Sequence, residues 1–332
     1  MGRQEQIRRI SISQTVVILG ARGRFGRAAA IAFKEAGWGV RLFARNWTRS
    51  ECIAGFDYRA GDASRGEDVV SAADGCDVIV NALNPPYQDW SRDLPKLSAA
   101  VIEAAKATGA SVMLPGNVYN YGASMPTLLT EDTPHRPSTK KGRLREAMEE
   151  AFAIAADYGV QTIILRAGDF IEQRKTGNWF DTYIANKVDR GRITYPGSLD
   201  QVHAWAYVPD MARAMVGLAE KRTELGPFST FGFEGYNLTG ERLISAIEDV
   251  TGRALRVSKM PWRLMGLIAP FAPPIREVME MRYLWDVPHA IDGKRLFALL
   301  PDYRPTPLKN ALRDALGGQV FSEMKPAKVR TV

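Results

Sequence analysis

The run Thr15-Val16-Val17-Ile18-Leu19-Gly20-Ala21-Arg22-Gly23-Arg24-Phe25-Gly26 constrains this chain more than any other segment. A continuous apolar, β-branched stretch reads as a strand covered on both faces of a parallel sheet. It leads without a spacer into three glycines at GxxGxxG spacing, then into an alanine-rich helical pattern over residues 25–36. In that setting Gly20 permits the tight turn, Gly23 lets the backbone approach a pyrophosphate, and Gly26 lets the helix pack against the strand. The helix N-terminus adds free N–H groups and a partial positive charge. The unit predicts a dinucleotide site built from Gly20, Arg22, Gly23, Arg24, Phe25 and Gly26.

The rhythm continues for about 150 residues. Strand patterns at 39–44, 57–60, 77–82, 110–114 and 161–166 alternate with helical patterns at 94–108 and 140–158. This alternation implies an α/β chain with a Rossmann-type doubly wound parallel sheet over residues 14–170. After Arg166 the pattern breaks into glycine, aromatic and charged residues. Helical periods return at 211–221 and at 240–251, the second with Thr239 as its cap. Residues 206–222 are expected to rejoin the first domain. Residues 171–205 and 223–320 are expected to form a smaller C-terminal α/β substrate domain, with tails at 1–13 and 321–332. Residues 259–290 are dense in Pro, Trp, Met and Phe. They read as a second hydrophobic layer, a dimer face, or the wall of an apolar substrate pocket.

The second strand ends in Ala44-Arg45-Asn46, with arginine where a ribose-binding acid would select NAD. Arg22, in the glycine loop, approaches the same ribose from the other side. Two planar guanidinium forks suit a 2′-phosphate, so NADP (NADPH) is expected over NAD. Asp62, after the third strand, is placed to accept from the adenine amino group or to cap the next helix. Asn81, Ala82 and Leu83, after the fourth, border the cofactor riboses.

A net charge of +7 admits nucleic acid, an anionic membrane or an anionic small molecule as partners. The arginines are dispersed rather than interleaved with aromatics, so neither nucleic acid nor a membrane is expected as a partner. No apolar run reaches the ~18–20 residues of a membrane span, and residues 1–13 lack a signal-peptide core. Cys52 and Cys76 form no CxxC pair, and His135, His203 and His289 have no ligand spacing, so no metal is expected. The reading is a cytoplasmic protein acting on a small, partly apolar substrate, with a homodimer possible.

These motifs resemble the extended short-chain dehydrogenase/reductase superfamily, often labelled NAD-dependent epimerase/dehydratase. The resemblance spans roughly residues 14–320. It rests on the GARGRFG loop, VIVNAL at 78–83, Tyr121-Gly122, ILRAGD at 164–169, AYVPDMARAM at 206–215, Gly235 to Gly240, and LLPDYRPTPLKNAL at 299–312. The superfamily's usual active site is a Ser plus a Tyr-x-x-x-Lys. Here Asn117 stands at the Ser position and Lys141-x-x-x-Arg145 replaces the Tyr-x-x-x-Lys.

That frame is also similar to the isoflavone reductase branch, which implies Lys141 as a catalytic lysine with Arg145, Met148 and Glu149 as framework. Neighbouring positive charge and desolvation would bring its pKa toward neutrality. Asn117 is placed to polarise a carbonyl or to hold its own turn. If the segment stays extended, Asn117, Tyr119 and Tyr121 share one side, making Tyr119 a second proton donor. Asp169, Asn178, Trp179, His203 and Trp205 are expected to roof the cleft. The resemblance implies an NADP(H)-binding oxidoreductase passing hydride to a carbonyl or activated double bond. The competing readings are an inactive NADP(H)-binding sensor, like the negative nitrogen-regulator proteins, and a nucleotide-sugar epimerase/dehydratase.

Overall fold

Val16, Val17, Ile18 and Leu19 have no exposed surface, because the strand they form, β1 (Thr15–Leu19), is covered on both faces. The computed structural model describes residues 14–174 and 176–320; the expected tails lie outside the described residues. From β1 the glycine loop enters α1 (Arg24–Glu35), followed by β2 (Gly39–Ala44), β3 (Asp57–Ala60), α2 (Gly66–Ala73), β4 (Val78–Asn81), α3 (Trp90–Thr108) and β5 (Ser111–Gly116). A short β6 (Leu128–Leu129), α4 (Lys140–Ala156) and β7 (Thr162–Arg166) complete this half.

All of these strands except β6 belong to a seven-stranded sheet, and every pair in it is parallel. β1 pairs with β2 on one side and β4 on the other, so the chain reverses its direction of winding at the carboxyl end of β1. Ligands of open α/β sheets bind at such a switch point. Phe33 and Ala29 of α1 pack with Met211 and Met215 of α5 (Val208–Glu220) on one face. Val69, Val101 and Phe152 of α2, α3 and α4 cover the other.

The second half begins with β8 (Asp169–Ile171), β9 (Arg192–Tyr195) and β10 (Val202–Tyr207), and after α5 comes β11 (Phe228–Gly232). β11 pairs with β7 and forms an edge of the central sheet, which corrects the placing of residues 223 onward in the smaller domain. Phe231, fully enclosed against the α5 side, holds it there. The chain then builds β12 (Tyr236–Thr239), α6 (Gly240–Thr251), β13 (Arg256–Lys259), α7 (Trp262–Ile268), α8 (Pro273–Glu280), β14 (Ala290–Ile291), α9 (Lys294–Leu299) and α10 (Leu308–Val320). Thr239 caps α6 by accepting from the Arg242 N–H. A separate core of Ile171, Phe180, Trp205, Leu243, Ile247, Trp285 and Leu312 sits beyond the carboxyl ends of the main sheet. The cleft lies between the two cores.

One buried ion pair ties the layers together. Arg166, the last residue of β7, grips Glu149 of α4 through both carboxylate oxygens, at 3.0 and 2.6 Å. Its Nη1 also donates to the Asn117 carbonyl at 2.6 Å. Burial alone raises the Glu149 carboxyl, but the charge and hydrogen bonds of Arg166 outweigh it and hold the group below its ordinary value of 4.5. A depressed carboxyl stabilises the fold above its unfolded pKa and loses that contribution as pH falls through the folded value. Glu149→Ala strands a buried guanidinium, and its expected cost is about 3–5 kcal/mol at neutral pH. Urea melts check this: the gap between parent and variant should be full near pH 7 and shrink below about pH 4.5.

Candidate functional site

Gly20 sits at φ +77°, and a Cβ there would lie 2.6 Å from the Ala82 carbonyl oxygen, so only glycine lets β1 and β4 exit side by side. A Cβ on Gly26 would run into the Gly20 carbonyl, which is why α1 starts so close to the loop. The Gly23 N–H donates to that same carbonyl at 2.8 Å. Gly23 is also the N-cap of α1 and offers no side-chain acceptor, so the first-turn N–H groups are left for an external anion. Gly20, Arg22, Gly23, Arg24 and Phe25 line a cleft of about 990 Å³ along the carboxyl edge of the sheet. The residues present fit a dinucleotide.

At one end of the cleft stand Arg45, Gly61 and Asp62, from the carboxyl ends of β2 and β3. Arg45 has no carboxylate within 4.0 Å among the described residues. Arg22 differs. It donates to Asn46 Oδ1 at 3.0 Å and Glu51 Oε2 at 2.7 Å, and its guanidinium lies 4.9 Å over the Trp47 ring. Its fork is therefore already filled by the segment after β2. Asp62 accepts from the Ser64 N–H and hydroxyl, which hold its carboxyl below the usual range. It shapes the turn into α2 rather than capping it, since the cap position is Arg65. Buried Asn81 accepts from the Leu83 N–H, and Ala82 and Leu83 line the middle of the cleft.

Arg24 departs from its expected role at the phosphates. Its Nη2 donates to the Thr176 carbonyl at 2.9 Å, and its Nε lies 3.4 Å from Glu172. Glu172 also receives the Thr176 hydroxyl and the Asn178 amide, and Asp181 accepts from the Thr176 N–H. The arginine thus bridges the cleft to its roof.

At the other end the chain does not stay extended. Asn117 Oδ1 accepts from the Tyr119 N–H at 3.0 Å, and residues 119–121 coil into a helical turn. The turn separates the tyrosines: Tyr121 goes under the Arg166 guanidinium, while Tyr119 lines the cleft. The Tyr119 hydroxyl is 3.3 Å from that of Tyr87, which reaches solvent. Burial, reinforced by Tyr87 and Asp169, pushes the Tyr119 phenol well above its ordinary range.

Lys141 is buried as expected, but it does not line the cleft, and its neighbours are carboxylates rather than the expected cations. Its ammonium is held by two carboxylates of α8, Glu277 and Glu280, the latter at 2.7 Å, and sits 5.0 Å over the Tyr87 ring. Burial would raise the Glu280 carboxyl, but the hydrogen bonds and charge of Lys141 hold it below its ordinary value.

Arg145, one turn along α4, is given only a framework role by the resemblance. It lines the cleft, with its guanidinium 5.0 Å over the Trp90 ring. Its Nε is buried without a partner, and no carboxylate lies within 4.0 Å among the described residues. Burial lowers its pKa. A partly buried cation at a cleft wall, with its Nε lacking a partner, is a candidate functional group, although Trp90 and the Glu149 charge also hold it in the fold. Its place four residues after Lys141 was the available signal.

Asp169 lines the cleft near Tyr119 and receives His203 Nε2 at 2.8 Å. His203 lies behind it, stacked flat on Trp285 at 4.1 Å, with the His289 ring edge-on at 4.4 Å. Burial, then the neighbouring His203, lowers His289 to about 3, so that ring is neutral. No group of three or more His, Cys, Asp or Glu side chains could hold a metal among the described residues.

The sequence profile of the NAD dependent epimerase/dehydratase family matches residues 16–231. No curated protein matches. Among solved structures, a candidate epimerase from Burkholderia cenocepacia J2315 superposes with a TM-score of 0.74 at 19% identity, covering 93% of this chain and 98% of that one. The UDP-glucose-4-epimerase of Stenotrophomonas maltophila, with bound NAD and formylated UDP-arabinopyranose, gives 0.73 at 18% identity, covering 92% and 98%. The UDP-N-acetylglucosamine 4-epimerase of Bacillus cereus gives 0.72 at 16% identity, covering 92% and 99%. At these identities the likeness is one of fold.

Lys141→Met is expected to destabilise the fold by about 2–3 kcal/mol, since its partners stay partly solvated. It should leave nicotinamide-dinucleotide affinity within about twofold, because the ammonium lies outside the cleft. Thermal melts and fluorescence titration test the two halves; a collapse of affinity in a folded variant would return Lys141 to the site.

Proposed function

Because the chain belongs to the NAD dependent epimerase/dehydratase family, whose profile covers residues 16–231, we propose that it is an NADP(H)-dependent reductase of a small, partly apolar carbonyl compound. The observation that carries this reading is that a proton-bearing phenol, Tyr119, and the partly buried Arg145 guanidinium line the same cleft. Arg45, without a carboxylate partner at the other end, favours the 2′-phosphate of NADP.

When bound, the nicotinamide would supply a hydride to the carbonyl carbon. Tyr119 gives its hydroxyl proton to the carbonyl oxygen as the alcohol forms. Arg145 offsets the negative charge left on the phenol oxygen, and its buried setting makes that attraction stronger than in water. Tyr87, hydrogen-bonded to Tyr119 and reaching solvent, returns a proton. The phenol holds its proton at neutral pH, and burial makes it a reluctant donor whose release the positive charge of Arg145 assists. Trp179, Val278, Met281 and Leu284 give the substrate end an apolar wall.

The second reading is a nucleotide-sugar epimerase, favoured by the fold neighbours crystallised with NAD and sugar nucleotides. It needs a base, and the carboxylate that fits is Asp169, backed by His203. Appearance of an epimer from a UDP-sugar with no net change in cofactor would support it over the reductase.

Tyr119→Phe is expected to cut NADPH oxidation about 10²–10⁴-fold with a panel of aldehydes and ketones, at unchanged NADPH affinity. Arg45→Asp should weaken NADPH about 10–100-fold while NADH changes little. Equal losses for the two cofactors would remove the case for NADP.

A further inference from the structure

The helix α7 and the turn that follows it present their apolar side to solvent. Leu264, Leu267, Ile268 and Phe271 fall at i, i+3, i+4 and i+7, the spacing of one helix face, yet they are 56%, 74%, 40% and 87% exposed. The Phe271 N–H donates to the Ile268 carbonyl, so the stripe runs on into the turn. Pro261, Pro270, Pro273 and Pro274, all exposed, stiffen the ends of α7 and α8. An amphipathic element normally buries such a stripe. Here the stripe forms a protrusion, not a groove.

Charge selects what covers it. From residue 253 to 276 the chain has five basic residues, Arg253, Arg256, Lys259, Arg263 and Arg276, and no acidic one. All five are exposed. A second copy docking across a two-fold axis would bring this cationic surface against itself. An anionic lamella meets both demands, taking the apolar tip among its acyl chains and the cations at its headgroups. We propose that the α7–α8 turn is an interfacial foot that docks the protein on an anionic bilayer surface. No helix among the described residues is long and apolar enough to cross a membrane, and an interfacial element does not require one.

The foot adjoins the cleft. Glu277, Val278 and Met281, on α8 and just after it, line one edge of the cavity, so docking brings its mouth to the bilayer. This concerns surface attachment and does not depend on the assignment of a reductase.

The test is vesicle co-sedimentation of the full chain with phosphatidylglycerol/phosphatidylcholine vesicles and with phosphatidylcholine alone. The expected result is partitioning about tenfold stronger to the anionic vesicles, weakened by salt. The double variant Leu267→Glu/Phe271→Glu should lose binding to both kinds of vesicle. Arg263→Gln/Arg276→Gln should lose chiefly the anionic preference. These are exposed positions, and unchanged circular dichroism and thermal melting confirm that each variant is folded. Absence of the parent from the vesicle pellet would overturn the proposal. So would a dimer in analytical ultracentrifugation that the Leu267→Glu/Phe271→Glu variant dissociates, since a second copy would then cover the stripe.

Discussion

The grip of Arg166 on Glu149 organises the functional end of this protein. It joins the last residue of β7 to the middle of α4, and through the Asn117 carbonyl it fixes the chain as it leaves β5. Asn117 then sets the turn that sends Tyr119 into the cleft and Tyr121 beneath the guanidinium. Two of the cleft's chemical groups, Tyr119 from the β5 exit and Arg145 from α4, are held in place by elements that this pair clamps together. A buried ion pair adds little net stability over an apolar contact. Its worth here is geometric, because bidentate bonds fix orientation as well as distance.

The parallel half was legible because its signals are local. β-Branched runs, glycine positions and helix periods mark β1 to β5 and β7, though not the short β6, and Gly20 and Gly26 each serve the close approach their spacing implies. Misreadings arose where partners lie far along the chain. Lys141 meets α8 more than 130 residues away, Arg24 meets the roof at Thr176, and β11 pairs with β7 across the whole of α5. Tyr119 lines the cleft, but not for the reason its spacing suggested. Strand alternation placed it beside Tyr121, whereas a side-chain-locked turn points the two apart. Spacing carries no information about such long-range pairing.

Where the resemblance implies a tyrosine and a lysine on one helix, this chain lines its cleft with a phenol from the β5 exit and a guanidinium on α4. An arginine cannot lose its charge, so the electrostatic field at Tyr119 stays constant across the physiological pH range.

The two carboxylates that hold Lys141 also have a mechanical meaning. α8 buries no residue of its own, so Glu277 and Glu280 fasten it to α4 in place of a hydrophobic face. Lys141 and Arg145 are one turn apart on the same helix. The surface turn is therefore joined to the helix that carries Arg145 through two carboxylates and one ammonium, with no strand of the main sheet between them.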